Sequence, residues 1–478
     1  MTTSREDTKS LVICDDAGYT KIGHSKTRQH VAAILANLAT LCIGMANAWT
    51  APALPLIQRQ TDVILPLYAT EEQASWISSL LPIGAVVGAL PAGYLADKLG
   101  RRRVLLMMAL PFFLGWMLIV LAADSVTQVY VGRFTIGLAC GACTVLVPLY
   151  NEEIAEDSIR GKLGVYFDFV LNIGILFMYV LGSYLPYLCF TLISGAFPVI
   201  FYASFYRMPE SPTFLVSKHL FLEAEKSLLW LRNGSIVYDT DTQPEIMRLI
   251  VRMREAARTD RPSLFNMSTF KAVAIVFGLM FFQQLDGMNA VIYYSVQIFQ
   301  EAGSSLEPTY CTMIIGAALV LAMFVPTFTV DKIGRRPLLL LSTIGATFSL
   351  AFLTIYFYFK QNGFDIESWR WLPLTSLVIY VTVLSMGLSP LPFFMVAELV
   401  PTAIKGKVSA YAISFNRSNT FLLTKLFPYL VITIGPDRTF GILCCLCILA
   451  TLFVSVCVPE TKGRSREEIE LMMETSLT

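Results

Sequence analysis

The chain has 478 residues, 55% hydrophobic and only 15% charged, with a mean hydropathy of +0.61 and a formal net charge of +1. A soluble globular chain carries nearer to about 25% charge, so an ordinary soluble domain is excluded. The balanced charge offers no basic surface for nucleic acid, and no Walker-type glycine loop is present.

The first 28 residues are polar and charged (Arg5, Glu6, Asp7, Lys9, Asp15, Asp16), without the apolar core of a cleaved signal peptide. Apolar stretches of spanning length then recur at about 29–50, 74–96, 104–123, 128–150, 163–183 and 187–206. After a polar gap they resume at about 270–298, 308–330, 337–358, 372–397, 407–430 and 438–458. The expected fold is an all-α membrane protein. Its twelve transmembrane helices form two six-helix halves, 29–206 and 270–458, with a tail over 1–28, a linker over 207–269 and a second tail over 459–478. Within the linker, Phe221–Leu231 and Pro244–Ala257 have helical periodicity with a charged face. They read as short amphipathic helices on the inner surface.

Basic residues orient the spans. Loops after even-numbered spans carry Lys98, Arg101 to Arg103, Arg160, Lys162, Lys332, Arg335, Arg336, Lys405 and Lys407. Loops after odd spans carry Arg59, Lys360, Arg370 and Arg438. The positive-inside rule places both termini and the linker in the cytoplasm of a plasma-membrane protein. The sequons at Asn233, Asn266 and Asn416 are then expected to be unused, two being cytoplasmic and one within the bilayer.

The halves repeat. Asp97-Lys98-Leu99-Gly100-Arg101-Arg102 follows span two, and Asp331-Lys332-Ile333-Gly334-Arg335-Arg336 follows span eight. Glu153 precedes Arg160-Gly161 as Glu398 precedes Lys405-Gly406, and Pro209-Glu210-Ser211 matches Pro459-Glu460-Thr461. Asp97, Arg101, Arg102, Glu153, Arg160, Asp331, Arg335, Arg336, Glu398 and Lys405 are candidates for ion pairs linking helices on the inner face. As a set that breaks when the halves separate, they bias one gating state against the other. The alternative is a solvated positive-inside anchor. Exposed pairs add little stability.

The ten cysteines lie almost entirely in apolar runs, so Cys140 and Cys143 read as packing. The three histidines lie at the amino end and in the linker, and no metal or cofactor is expected.

The most polar membrane stretch is Gln283-Gln284-Leu285-Asp286-Gly287-Met288-Asn289, which closes the apolar run from Ala272 to Phe282. Amides at membrane depth need partners. They read either as glue between helices or as the lining for a hydroxylated solute. A break at Gly287 would let both glutamines face inward.

These motifs resemble, as an ordered set over nearly the whole chain, the sugar porter family of the major facilitator superfamily. They include Gly93 to Arg102, Val131-Gly-Arg133, Pro148 to Ala155, Pro209-Glu-Ser-Pro212, Gln283 to Tyr294 and Pro459 to Gly463. Ala51 to Pro55, Asn172-Ile-Gly174 and Thr424-Lys425 resemble its arthropod facilitated trehalose and glucose transporters. The resemblance implies alternating access for a small sugar, bound by Gln283, Gln284, Asn289, Asp168, Asn172, Phe393, Asn416 and Arg417. The expected partners are the sugar and the lipid bilayer.

Four positions depart from the family pattern: Asp168 for Gln, Asp286 for Ser, Phe393 for Trp, and Arg417 where Asn-Trp is usual. An unpaired charge at mid-span costs at least about 2.5–3.5 kcal/mol, so Arg417 should have a partner, with Asp168 the first candidate and Asp286 the second. A cross-cavity gate, a charged substrate pocket and a degenerate site are the open readings. Arg133, at the start of span four, is expected to snorkel. Span one has no Asp or Glu, which favours uniport. Proton-coupled symport, with Asp168 as carrier, and a non-transporting nutrient receptor are the alternatives. No nucleophile–base pair suggests an enzyme.

Overall fold

The computed structural model describes residues 26–58, 67–122, 125–156, 159–232, 267–400, 402–462 and 468, and among these no strand occurs. The first half comprises α1 (Thr27–Ala48), its near-continuation α2 (Thr50–Gln58), α3 (Glu71–Leu99), α4 (Arg101–Val120), α5 (Val126–Ile154), α6 (Arg160–Tyr184) and α7 (Tyr187–Phe205). Two short helices follow, α8 (Pro212–Ser217) and α9 (Phe221–Leu231). The second half comprises α10 (Met267–Leu285), α11 (Met288–Ala302), α12 (Pro308–Ala322), α13 (Phe324–Ile333), α14 (Arg335–Gln361), α15 (Leu372–Met386), α16 (Leu391–Leu399), α17 (Thr402–Ile434) and α18 (Pro436–Cys457).

Eleven stretches among the described residues are long and apolar enough to cross a membrane. Helix α17, 33 residues long, is the twelfth of spanning length, less apolar because it carries Asn416, Arg417, Asn419 and Lys425. Besides span one, with α1 and α2, three spans are built from two helices. Span seven breaks between α10 and α11, span eight bends at Met323, and span ten breaks over Gly387 to Pro390, where proline withdraws backbone donors.

Within the first half α3 packs on α5, α1 on α6 and α4 on α5. Within the second, α14 packs on α18 and α15, and α10 on α17. The halves meet along α3 with α17, α6 with α12, and α2 with α11.

One end of the bundle carries the repeated arginine motifs, and the repeat is structural as well as sequential. Arg101 pairs with Asp97 at 3.0 Å and with Glu153 at 2.9 Å, and Arg335 pairs with Glu398 at 3.1 Å. Ser211 donates its hydroxyl to Glu153, and Thr461 donates to Glu398. Glu210 accepts the backbone N–H of Arg102 at 2.9 Å. Glu460 accepts those of Arg335 and Arg336, both at 3.0 Å. Each carboxylate thus caps the first turn of a helix, where donors lack intrahelical partners. The caps need Gly100 and Gly334, at φ +105° and +108°. A Cβ there would lie 2.4 Å from a Glu210 oxygen or 2.7 Å from a Glu460 oxygen.

Among the described residues these pairs join helices inside one half, Arg101 with Glu153 in the first and Arg335 with Glu398 in the second. The reason is local: Ser211 and Thr461, from the segments that close their own halves, hold the glutamates. Asp97 is largely exposed. Arg160 is exposed at the start of α6. The side chains of Asp331 and Lys405 lie outside the description.

Helix α9 is amphipathic as expected. Its Ala224, Leu228 and Leu231 are buried, and it packs on α8 and the start of α1. Arg28 donates to the Trp230 carbonyl at 3.2 Å, and Arg232 donates to that of Ile154 at 3.3 Å, docking the helix on the first half. The stretch Pro244–Ala257, with Asn233 and Asn266, lies outside the described residues.

Candidate functional site

The break in span seven creates the site. Helix α10 ends at Leu285, and Gly287 takes φ +104°, a conformation that a side chain would strain. The Asp286 carboxylate turns back to accept the Met288 N–H at 2.8 Å, capping α11, while Tyr380 donates to the Asp286 carbonyl at 2.9 Å. The carboxylate is thus turned to the backbone, and it forms no ion pair with Arg417 within 4 Å. Tyr294, inside α11, is a second irregular point at φ −121°.

At this break the amides converge. Asn416 donates to Gln283 Oε1 at 2.7 Å, and Gln284 donates to Asn416 Oδ1 at 2.8 Å. Asn289 donates to Gln284, and Gln283 donates to the Ser389 carbonyl at the break in span ten. Thr420, one turn beyond Asn416, donates to Gln284 Oε1 at 3.0 Å. Its spacing from Asn416 was the available signal for it. Gln283, Gln284 and Asn416 are buried, so the network satisfies itself in a dry setting. In this state the amides bind each other.

The other expected residues lie apart from that network. Phe393 is partly exposed on α16. Asp168 and Asn172 share one face of α6 in the opposite half, Asn172 being buried. Arg417 follows Asn416 on α17 and reaches the first half, where it lines a cavity of about 10 Å³ with Asn47, Cys140, Thr144 and Tyr293. Such a cavity holds one water at most. Among the described residues no carboxylate lies within 4 Å of Arg417, and Asp168 acts on it only at longer range. The expected ion pair is not formed, because Arg417 is directed toward Tyr293 and Cys140. Its Nε is buried without a hydrogen-bond partner.

Arg133 also departs from expectation. Rather than snorkelling it is wholly buried, donating from Nε to the Ile77 carbonyl at 3.1 Å and from Nη1 to the Ala46 carbonyl at 2.7 Å. Its guanidinium lies 5.3 Å from the centre of the Trp49 ring. It thus ties α5 to α1 and α3.

Away from the arginine end, hydrogen bonds join the two halves. Thr50 donates to the Tyr293 carbonyl at 3.1 Å, Tyr179 to the Ile292 carbonyl at 2.7 Å, and Tyr293 to Asn47 at 3.0 Å. Gln297 donates to Gln58 at 2.7 Å. Lys425 donates to Ser75 at 2.7 Å, with its Nζ 4.1 Å from the centre of the Trp76 ring. None of Asn47, Tyr179 and Trp76 was singled out from the sequence, since only proximity across the seam marks them. This end is closed. A pocket of about 220 Å³, lined by Gln58, Glu71, Gln297, Glu301, Phe427 and Phe440, lies in the seam beyond Tyr294 and does not contain the amide cluster.

Solved structures share this architecture. The proton:xylose symporter XylE bound to 6-bromo-6-deoxy-D-glucose aligns with a TM-score of 0.75 at 24% identity, over 94% of this chain and 99% of that one. The inward open conformation of the xylose transporter XylE from E. coli aligns at 0.76 and 23% identity, over 93% and 99%. At that identity the likeness establishes the fold. Among relatives, the facilitated trehalose transporter Tret1 of Culex quinquefasciatus is 36% identical over 93% of this chain and 86% of its own length. That of Apis mellifera ligustica is 36% identical over 98% and 94%. The chain spans 56% of the length of the Anopheles gambiae Tret1, again at 36% identity. Residues 32–473 match the family described as sugar (and other) transporter. Two six-helix halves with an amide cluster at a helix break, and a match that runs through both, place the chain in that family: it belongs to the sugar transporters of the major facilitator superfamily.

Proposed function

We propose that the protein is a facilitative sugar uniporter of the plasma membrane, working by alternating access, with both termini and the arginine end in the cytoplasm. The observation that carries this reading is the cluster of Gln283, Gln284, Asn289 and Asn416 at a broken membrane helix, beside the seam between the halves. Sugar hydroxyls both donate and accept, as amides do, so a sugar can exchange its hydrogen bonds for those the amides now make to one another. In this reading Phe393 supplies an aromatic face for the sugar's C–H surface, and Asp168 and Asn172 meet the sugar from α6 once the halves part. The Tret1 relatives support a hexose or trehalose class of substrate. The clustering of lysine and arginine in the loops after even-numbered spans supports the orientation. The division into halves at 29–206 and 270–458, with a cytoplasmic linker and tails, is part of this proposal.

Uptake of labelled glucose and trehalose by a transport-null cell expressing the chain tests it. Saturable uptake that equilibrates without accumulating, and is unmoved by collapse of the proton gradient, is expected. Concentrative uptake abolished by a protonophore would establish symport instead. One observation favours that second reading: Asp168 is a carboxylate within a membrane helix and is held by no ion pair within 4 Å among the described residues.

A further inference from the structure

We propose that Arg417 sets the substrate class, by binding an anionic group on the sugar, so that the preferred substrate is a sugar acid such as a hexuronate. The inference rests on the sugar-carrier reading and narrows it. Two arginines within the spans make the contrast, Arg133 wholly buried and Arg417 half-buried. Arg133 is anchored by protein: two backbone carbonyls take its Nε and Nη1 and Trp49 lies against its guanidinium, which leaves only Nη2 without an acceptor. That is how this fold holds an arginine whose task is structural.

Arg417 is not held in that way. Its Nε is buried with no acceptor, and the polar groups around it are already engaged. Asn47 Oδ1 accepts from Tyr293, and Thr144 donates to the Cys140 carbonyl at 2.8 Å. Asp286 is committed to the Met288 N–H, and Asp168 stands beyond ion-pair range. A guanidinium kept at membrane depth with no ion pair within 4 Å among the described residues is a strong site for an anion, since its planar fork matches a carboxylate in a bidentate pair.

Position supplies the rest of the argument. Asn416, the residue before Arg417, is bonded into the cluster proposed to take sugar hydroxyls. A ligand lying across both residues would present hydroxyls to the amides and an anion to the guanidinium. Asp168, opposite, can accept further hydroxyls and makes no ion pair with Arg417 within 4 Å. In the present state the space beside Arg417 is about 10 Å³, too small for a carboxylate. It is walled by the Tyr293–Asn47 bond that joins the halves, so the anion would enter when the halves part there.

The test compares uptake of labelled D-glucuronate, D-glucose and trehalose by the full chain in a transport-null cell, with surface expression measured in parallel. The wild type is expected to carry glucuronate, and unlabelled glucuronate should inhibit its glucose uptake. In Arg417→Gln the ratio of glucuronate to glucose uptake should fall by about tenfold or more, the cost of a charged hydrogen bond. In Arg417→Lys, which keeps the charge but loses the fork, the ratio should fall less. A wild type that carries glucose or trehalose, yet neither carries nor is inhibited by glucuronate, overturns the inference and leaves the sugar-carrier reading standing. A surface-expressed wild type that moves none of the three overturns both. Should Arg417→Gln fail to reach the membrane, thermal stabilisation of the purified wild type decides. A shift with glucuronate exceeding that with glucose supports the proposal, and equal or absent shifts refute it.

Discussion

Lys425 is expected to hold the carrier closed on the side away from the arginine motifs, which the proposed orientation makes external. It extends from α17 in the second half to α3 in the first, donating to Ser75 at 2.7 Å with its charge 4.1 Å from the centre of the Trp76 ring. Lys425→Met keeps the aliphatic stem and removes both contacts. A cation–π contact at a partly exposed site contributes about 0.5–1 kcal/mol, and an intramolecular hydrogen bond about 0.5–1.5 kcal/mol net. Both form only when this end is shut. Their loss should move the closed-to-open ratio by roughly 1–2 kcal/mol, or about 5–30-fold. Ser78, wholly buried on α3, reports the change when replaced by cysteine in a background where Cys14 and the cysteines exposed among the described residues (Cys189, Cys445, Cys457) are serine. Labelling by a membrane-impermeant maleimide should accelerate by the same factor in Lys425→Met. Trp76→Leu should act in the same direction but less, and the two together less than additively. Equal labelling rates in wild type and both variants would show that Lys425 merely decorates the seam.

Gln284 makes more bonds in the amide cluster than Gln283 or Asn289, engaging Asn416, Asn289 and Thr420. Gln284→Ala should therefore lower sub-saturating sugar uptake more than Gln283→Ala or Asn289→Ala, at about 0.5–1.5 kcal/mol per lost bond; equal and negligible losses at near-normal surface expression would mark the cluster as glue. Arg133→Lys cannot span two carbonyls as the guanidinium does, and should destabilise the purified protein by roughly 1.5–3 kcal/mol per charged hydrogen bond lost, read as a lower Tm without recovery in any substrate. Burial raises the Glu460 carboxyl, but the N–H groups of Lys462, Arg335, Arg336 and Thr461 outweigh it and leave the pKa below its ordinary 4.5. Its stabilisation is thus full above the unfolded value and lost as pH falls through the depressed one, so the drop in Tm on acidification below about pH 4.5 should be shallower in Glu460→Gln than in wild type. Cysteines placed at Ser235 and Thr240, beyond the described residues, should label only after permeabilisation; labelling of intact cells would reverse the proposed orientation.

The twelve spans, the two halves and the break at Gly287 were legible in the sequence, because a bilayer imposes its own signature on a chain. Apolar runs must match its thickness, and backbone donors must be satisfied within each helix. The repeated Asp-Lys-x-Gly-Arg-Arg and Pro-Glu-Ser/Thr motifs were equally visible as a repeat. Their geometry was not. That Glu210 and Glu460 cap α4 and α14, and that Ser211 and Thr461 steady Glu153 and Glu398, depends on which chain ends fold back onto which helix.

The direction of each buried charge was likewise a tertiary matter. Sequence marked Arg417 as costly at depth and therefore in need of a partner, offered Asp168 and Asp286 for it, and left Arg133 to snorkel at its helix end. It did not reveal that Asp286 would turn to Met288, that Arg133 would find the carbonyls of Ala46 and Ile77, or that Arg417 would reach Tyr293 rather than Asp168. A helical wheel assigns a side chain to a face, and that much follows from a period of 3.6 residues. Which atom lies opposite that face depends on how far two helices have slid and tilted against each other, and those few ångströms are decided only when the halves pack.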